Sequence, residues 1–168
     1  MELHVHGETE TGRVRDHNED SILRLGGEQS PPGVDALLVV ADGMGGHAAG
    51  EVASKLTVEH IEQHFTSGAF ASTTADEFEE ALRTLLQNVN QVVHTAGQDT
   101  DKRGMGTTCT LVAIKDDHLY YAHVGDIAPT SSEAGNWNKL PMTTVGWKIW
   151  SGPDLYQKKK LGLTPTVM

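Results

Sequence analysis

The sequence holds a single cysteine, Cys109, among its 168 residues, so no disulfide framework can staple it. Long hydrophobic runs are also missing. The longest, Ala36 to Ala41, falls far short of the ~20 residues that a membrane span needs. The N-terminus lacks the basic-then-apolar pattern of a secretory signal, which predicts a soluble, unexported, cytoplasmic protein. Positive charge is scarce: 13 Lys+Arg stand against 23 Asp+Glu, a formal net charge of −10. That sign repels nucleic-acid phosphates and anionic lipid, and no basic patch interrupts residues 1–126, so neither a nucleic-acid nor a membrane partner is expected. What is present is ordinary. Apolar residues at 38% plus 18 glycines exclude collagen, low complexity and wholesale disorder, and the length suits one core.

Residues 21–25 alternate polar and apolar side chains as a half-buried strand does. Residues 36–41 show no alternation and read as a central strand buried on both faces, ending at the flexible run Asp42-Gly-Met-Gly-Gly-His47. From Glu51 the apolar positions Val52, Leu56, Ile61 and Phe65 predict one helical face, with Glu59, Glu62 and Gln63 left for water. Thr74 followed by Glu77 is a capping-box pattern that opens a second helix (Phe78, Leu82, Leu85, Leu86, Val89, Val93) ending near Gly97. Residues 107–114 and 119–124 read as an antiparallel hairpin turning at Lys115-Asp-Asp-His118, with Cys109 a small buried hydrophobe inside it. Strands, two helices and a hairpin indicate a mixed α/β domain with helices on a largely antiparallel sheet.

Carboxylates gather at the ends of these elements: Asn18-Glu-Asp20 after the arginines of Gly12-Arg-Val-Arg15, Asp42-Gly43 at the tip of the buried strand, and Gly125-Asp126 closing the hairpin. Two carboxylates ~4 Å apart repel by ~4 kcal/mol at an effective dielectric of ~20, so such crowding calls for a cation. Hard oxygen donors without Cys or paired His favour Mg²⁺ or Mn²⁺ over Zn²⁺, and a glycine after Asp42 lets a backbone carbonyl approach the ion. Two such ions could clamp a phosphoryl oxygen and activate a water, while Arg15 grips the phosphate as a planar fork. A solvated turn with an N-terminal ion pair is the plain alternative. Gly43-Met-Gly-Gly46 is not a nucleotide loop, because no Lys-Ser/Thr follows it.

The strings GRVRDHNED (12–20), LLVVADGMGGHAAGEVAS (37–54), GMGTTCTLVAI (104–114) and YYAHVGD (120–126) closely resemble, in order, the bacterial branch of the metal-dependent PP2C-type (PPM) serine/threonine phosphatases. The resemblance implies an α/β (α+β) fold, a sandwich of two antiparallel β-sheets flanked by α-helices, incomplete at its C-terminus in this chain. It implies two Mn²⁺ or Mg²⁺ ions that activate water to hydrolyse phosphoserine or phosphothreonine on phosphorylated proteins, the products of a serine/threonine kinase. By motif position Asp42 resembles the carboxylate shared by both metals and Gly43 the carbonyl ligand. Glu19 and Asp20 occupy the acidic pair supporting the metal site, Arg15 the phosphate-binding arginine, and Asp126 the position of a third, weaker metal. In eukaryotic members a histidine directly after the metal-binding Asp-Gly is a proposed general acid. Here Met44 stands there and His47 lies three residues on, so His47 is carried as a site-lining candidate beside the reading of a surface or helix-start histidine. A second functional reading is a catalytically inactive PP2C-like fragment or binding protein lacking the C-terminal metal ligands.

The resemblance runs from about Thr11 to Asp126, so residues 1–126 are taken as the N-terminal part of a phosphatase domain. The family continues Gly-Asp with Ser-Arg and later adds two metal-binding aspartates, whereas Asp126 is followed by Ile127-Ala-Pro-Thr130 and residues 127–168 contain one aspartate, Asp154. Reading the last base of each codon with the first two of the next recovers the family's character. Trp137 into Asn138 forces Glu, Met142 into Thr143 forces Asp, and Trp147 into Lys148 forces Glu; residues 136–153 then admit LEQVTDDHSWVEDLVRSG. Deleting one G from codons for Ser-Arg-Pro-Tyr yields Ile127 to Thr130. Residues 127–168 are therefore expected to be a frameshifted, non-homologous tail.

Overall fold

The computed structural model describes residues 5–11, 13, 16–45, 48–99, 102, 104–125 and 148–149. Five strands lie side by side in the order β1 (Asp20–Gly26), β2 (Ala36–Met44), β4 (Cys109–Lys115), β5 (His118–Val124) and β6 (Lys148–Ile149), while the short β3 (Gly106–Thr107) pairs with the end of β2. All pairings are antiparallel except β5 with β6. Two helices, α1 (Ala48–Thr66) and α2 (Ala75–Ala96), connect β2 to β3. Among the described residues no helix is long and apolar enough to cross a membrane.

Local chemistry accounts for the elements. Thr74 caps α2 as its spacing predicts: its hydroxyl accepts from the Glu77 N–H at 3.4 Å, and the Glu77 carboxylate accepts from the Thr74 N–H at 2.8 Å. The predicted α2 face, Phe78 to Val93, is the buried one. The β4–β5 hairpin turns at Asp116 (φ 51°) and Asp117 (φ 59°), the two left-handed positions of a type I′ turn, whose twist matches that of the strands.

The core lies between one face of the sheet and the helices. Leu37, Val39 and Ala41 of β2, Leu111 and Ala113 of β4, and Tyr120 and Ala122 of β5 meet Ala53, Ile61 and Phe65 of α1 and Phe78, Leu82 and Leu86 of α2. At one end Phe65, Phe70, Phe78 and Tyr120 form a chain of rings with successive centroids 4.3, 4.9 and 4.6 Å apart. Lys115 is buried beside it, its ammonium donating to the Gly33 carbonyl at 3.0 Å and lying 3.5 Å from the Asp116 carboxylate.

The structure corrects several expectations. β2 is covered on one face only: Leu37, Val39 and Ala41 are sealed, whereas Val40 and Met44 on the other side are each 50% exposed. A run without polar alternation thus came from a strand whose second apolar face nothing covers among the described residues. The α+β arrangement of helices on a largely antiparallel sheet is as the sequence predicts. β2 continues through Asp42 and Gly43 to Met44 because β3 supplies partners there, and α1 begins at Ala48 rather than Glu51. The run 107–114 is broken at Thr108, whose N–H donates instead to the Asp42 carbonyl at 2.9 Å.

Candidate active site

The β1–β2 register places Asp20 directly across from Asp42, so both carboxylates emerge from the same face, away from the helices. Opposed like charges on neighbouring strands destabilise a sheet unless something neutralises them. The arrangement around them is built rather than incidental. The Asn18 side-chain amide donates to the Thr9 hydroxyl at 3.0 Å, that hydroxyl donates to the Asp20 carboxylate at 3.0 Å, and the Asn18 side-chain carbonyl accepts the Asp20 N–H at 3.0 Å. Asp20 is thus oriented by its own loop and by the segment before β1. Asp42 is held through its backbone. Its carbonyl accepts from Thr107 Oγ1 at 3.0 Å and from the Thr108 N–H, and its N–H donates to Thr108 Oγ1 at 3.3 Å.

Gly43 sits where three segments converge. Its N–H donates to the Glu19 carbonyl at 3.1 Å, and a Cβ on it would lie 2.2 Å from the Gly50 carbonyl oxygen and 2.6 Å from that of Glu19. Only a bare backbone lets the first turn of α1, the end of β2 and the approach to β1 pack this closely. A Cβ on Gly50 would in turn meet the carboxyl carbon of Glu19 at 3.1 Å, which places that side chain against the same junction. Ser21 and Ser54 join β1 to α1 by a hydroxyl–hydroxyl bond of 3.0 Å just behind it.

Glu19, Asp20, Asp42 and Gly43 are therefore brought together at one sheet edge. Arg15, His47 and Asp126 lie outside the described residues. Among the described residues no three His, Cys, Asp or Glu side chains converge as a complete metal-holding cluster. The donors present fit a hard divalent ion in kind, being carboxylate oxygens beside a strand carbonyl, and fall short in number of the six or more oxygens such ions take. Thr9, Thr107 and Thr108 are positioning residues; Gly106-Thr-Thr108 stands out in the sequence at the opening of a strand beside the acidic ends, without a defined role, and the structure supplies that role. Asn18 carried a signal, since an Asn two residues before an acidic strand start is a common backbone-binding arrangement; Thr9 carried none.

Comparison with known proteins agrees with this geometry. The chain matches the family described as Protein phosphatase 2C over residues 12–146. It is 38% identical over 125 residues to the serine/threonine phosphatase stp of Listeria welshimeri, covering 74% of this chain and 48% of that one. The S. agalactiae serine/threonine phosphatase structure superposes with a TM-score of 0.60 at 33% identity, covering 68% of this chain and 45% of that one. The catalytic domain of the phosphatase PstP, solved in complex with 2 manganese ions, gives 0.52 at 32% identity, covering 68% and 44%. The chain spans about half the length of the curated relatives it matches. With the matched profile spanning most of the chain and its acidic strand ends assembled at one edge, this protein belongs to the protein phosphatase 2C family.

Proposed function

We propose that this chain carries the N-terminal part of a metal-dependent phosphatase site acting in the cytoplasm on phosphoserine and phosphothreonine of proteins modified by a serine/threonine kinase. The observation that carries the reading is the opposition of Asp20 and Asp42 across β1 and β2, with Gly43 and Glu19 at the same junction. Asp42, the Gly43 carbonyl, Glu19 and Asp20 would hold Mn²⁺ or Mg²⁺, two ions with a third at Asp126. When bound, such ions polarise phosphoryl oxygens and lower the pKa of water. The chain's own residues set the geometry. The Thr107 and Thr108 contacts hold the Asp42 backbone, the Asn18–Thr9 relay aims Asp20, and Arg15 neutralises the charge developing on the phosphate. His47 stays a site-lining candidate from its place in the sequence, five residues after Asp42.

Residues 127–168 are, in this reading, translated from a shifted frame, and the later ligands of the family are absent from them. The chain as written therefore binds metal weakly and turns over slowly. The test is manganese-dependent release of phosphate from a phosphothreonine peptide, and of p-nitrophenolate from its phosphate ester, by the chain as written and by a version with one base restored after the Asp126 codon. Turnover that rises on restoration and is abolished by Asp42→Ala supports the proposal. A folded, restored protein with no manganese-dependent turnover overturns it. Sequencing the source DNA at that codon in an independent isolate tests the tail: an intact frame encoding Ile127 onward defeats the shifted-frame reading.

A further inference from the structure

On the face that carries Asp20 and Asp42, β2 runs past its last partner on β1 and ends at Met44, which is 50% exposed. Two steps along a strand return to the same face after about 7 Å, so Met44 stands beside Asp42 on the acidic side of the sheet. We infer that Met44, with the bare backbone of Gly106 next to it, is a specificity subsite for an apolar side chain of the phosphopeptide substrate, two residues from the phosphorylated one. Such a role rests on the proposed function and adds to it the class of residue that flanks the phosphate.

The space beside Met44 is open. Its partner across the ladder is Gly106, and residues directly opposed on neighbouring strands share a face. A Cβ on Gly106 would meet nothing within 4 Å, and Gly106 is not among the glycines with positive φ. Neither packing nor backbone conformation therefore calls for glycine there. Gly43 and Gly45 differ: the first is pressed by Gly50 and Glu19, and the second has φ 138° and would place a Cβ 2.9 Å from the Met105 Cα. The bare position 106 leaves a shelf with an exposed thioether as its wall. Methionine is flexible and polarisable, so the wall adapts to apolar side chains of several shapes.

Val40, also 50% exposed, flanks Asp42 on its other side, but its cross-strand neighbours are Ile22 and Thr110, whose side chains stand where Met44 has a glycine. The spacing also suits a peptide. An extended chain presents alternate side chains to one face at the same interval of about 7 Å. A phosphothreonine held over the acidic edge therefore sets the side chain two residues along over Met44, while the one between them points away.

The probes are short peptides with a phosphonate analogue of phosphothreonine, in which a methylene replaces the bridging oxygen and blocks hydrolysis. They are titrated with manganese into the full chain and followed by fluorescence anisotropy and by NMR of the methionine methyls. One peptide has serine at every flanking position; the others carry a single leucine at each flanking position in turn. Leucine two residues from the phosphonate, on one side, should tighten binding about tenfold, the worth of burying roughly half a leucine side chain, and should shift the Met44 methyl. Leucine one residue away should give no gain. Met44→Ser, which removes the apolar wall, and Gly106→Val, which fills the shelf, should each erase the difference between the leucine and serine peptides, and Met44→Leu should retain it. Gly106→Val stands as the test if Met44→Ser does not fold, and the peptide series on the unsubstituted chain needs no variant.

Equal binding of all the peptides overturns the inference, as does no binding of any or a leucine preference that survives both substitutions. Equal binding beside manganese-dependent turnover leaves the phosphatase reading standing. A leucine preference without such turnover sinks that reading and leaves Met44 as a peptide-binding residue.

Discussion

Replacing Gly43 by alanine isolates the packing on which the acidic edge depends. The added methyl would sit 2.2 Å from the Gly50 carbonyl oxygen, 2.5 Å from its carbon and 2.6 Å from the Glu19 carbonyl oxygen. All three are backbone atoms, so no side chain can swing away; α1 must lift its first turn, or β1 must part from β2. Overpacking of a tight core costs typically 1–3 kcal/mol, and three sub-van-der-Waals backbone contacts put this case at the upper end, about 3 kcal/mol. With a urea slope of about 2 kcal/mol/M, the unfolding midpoint should fall by about 1.5 M. Gly106→Ala is the matched control. It lies on β3, opposite Met44, and a Cβ there meets nothing within 4 Å, so its midpoint should stay the same or rise slightly as the unfolded chain loses freedom. Far-UV circular dichroism is the right probe, because it reports the strands and helices directly and all three tryptophans come after residue 126 in the sequence. A Gly43→Ala midpoint within 0.5 M, by the same order-of-magnitude reckoning, of that of Gly106→Ala would refute the claim that glycine is required there for close approach.

Cys109 supplies a pH test: burial raises its thiol from 9.0 to about 12, so the unfolded chain ionises first and stability that is full below pH 9 is lost as the pH climbs toward 12. Between pH 7 and 10 this group alone should cost about 1.4 kcal/mol, a loss absent from Cys109→Ala, with the burial-raised Tyr120 and Tyr121 hydroxyls adding the same decline to both proteins at higher pH. Thr74→Ala removes the hydroxyl cap of α2 and should lower stability by about 1 kcal/mol in urea unfolding, whereas Thr74→Ser should restore most of it. Thr108→Val strips the acceptor from the Asp42 N–H and should weaken manganese binding, read by calorimetry, with far-UV ellipticity unchanged; unaltered affinity would show that the Asp42 backbone needs no such support.

Much of the fold was legible in one dimension because its signals are local. The Thr74–Glu77 box, the α2 apolar stripe and the two-aspartate turn between β4 and β5 each depend on residues within a few positions of one another. The length of β2 was not, since its last residues are strand only by virtue of β3, which is distant in sequence and two residues long. Nor was the coverage of β2. Leu38 and Val40 are as apolar as Leu37 and Val39, and a composition of that kind records a face suited to burial without saying whether another layer lies on it.

The same division runs through the site. Residue types and their order were enough to mark what could hold a hard cation: acidic groups flanked by glycine at predicted strand ends, in an order that resembles one family. Tertiary structure alone decided that Asp20 and Asp42 face each other, that Thr9, Asn18, Thr107 and Thr108 orient them, and that Gly43 must be bare because Gly50 and Glu19 press against it. Chemistry is carried by side-chain type and survives in a string of letters. Register and close approach are relations between distant segments, and they come into being only when the chain packs.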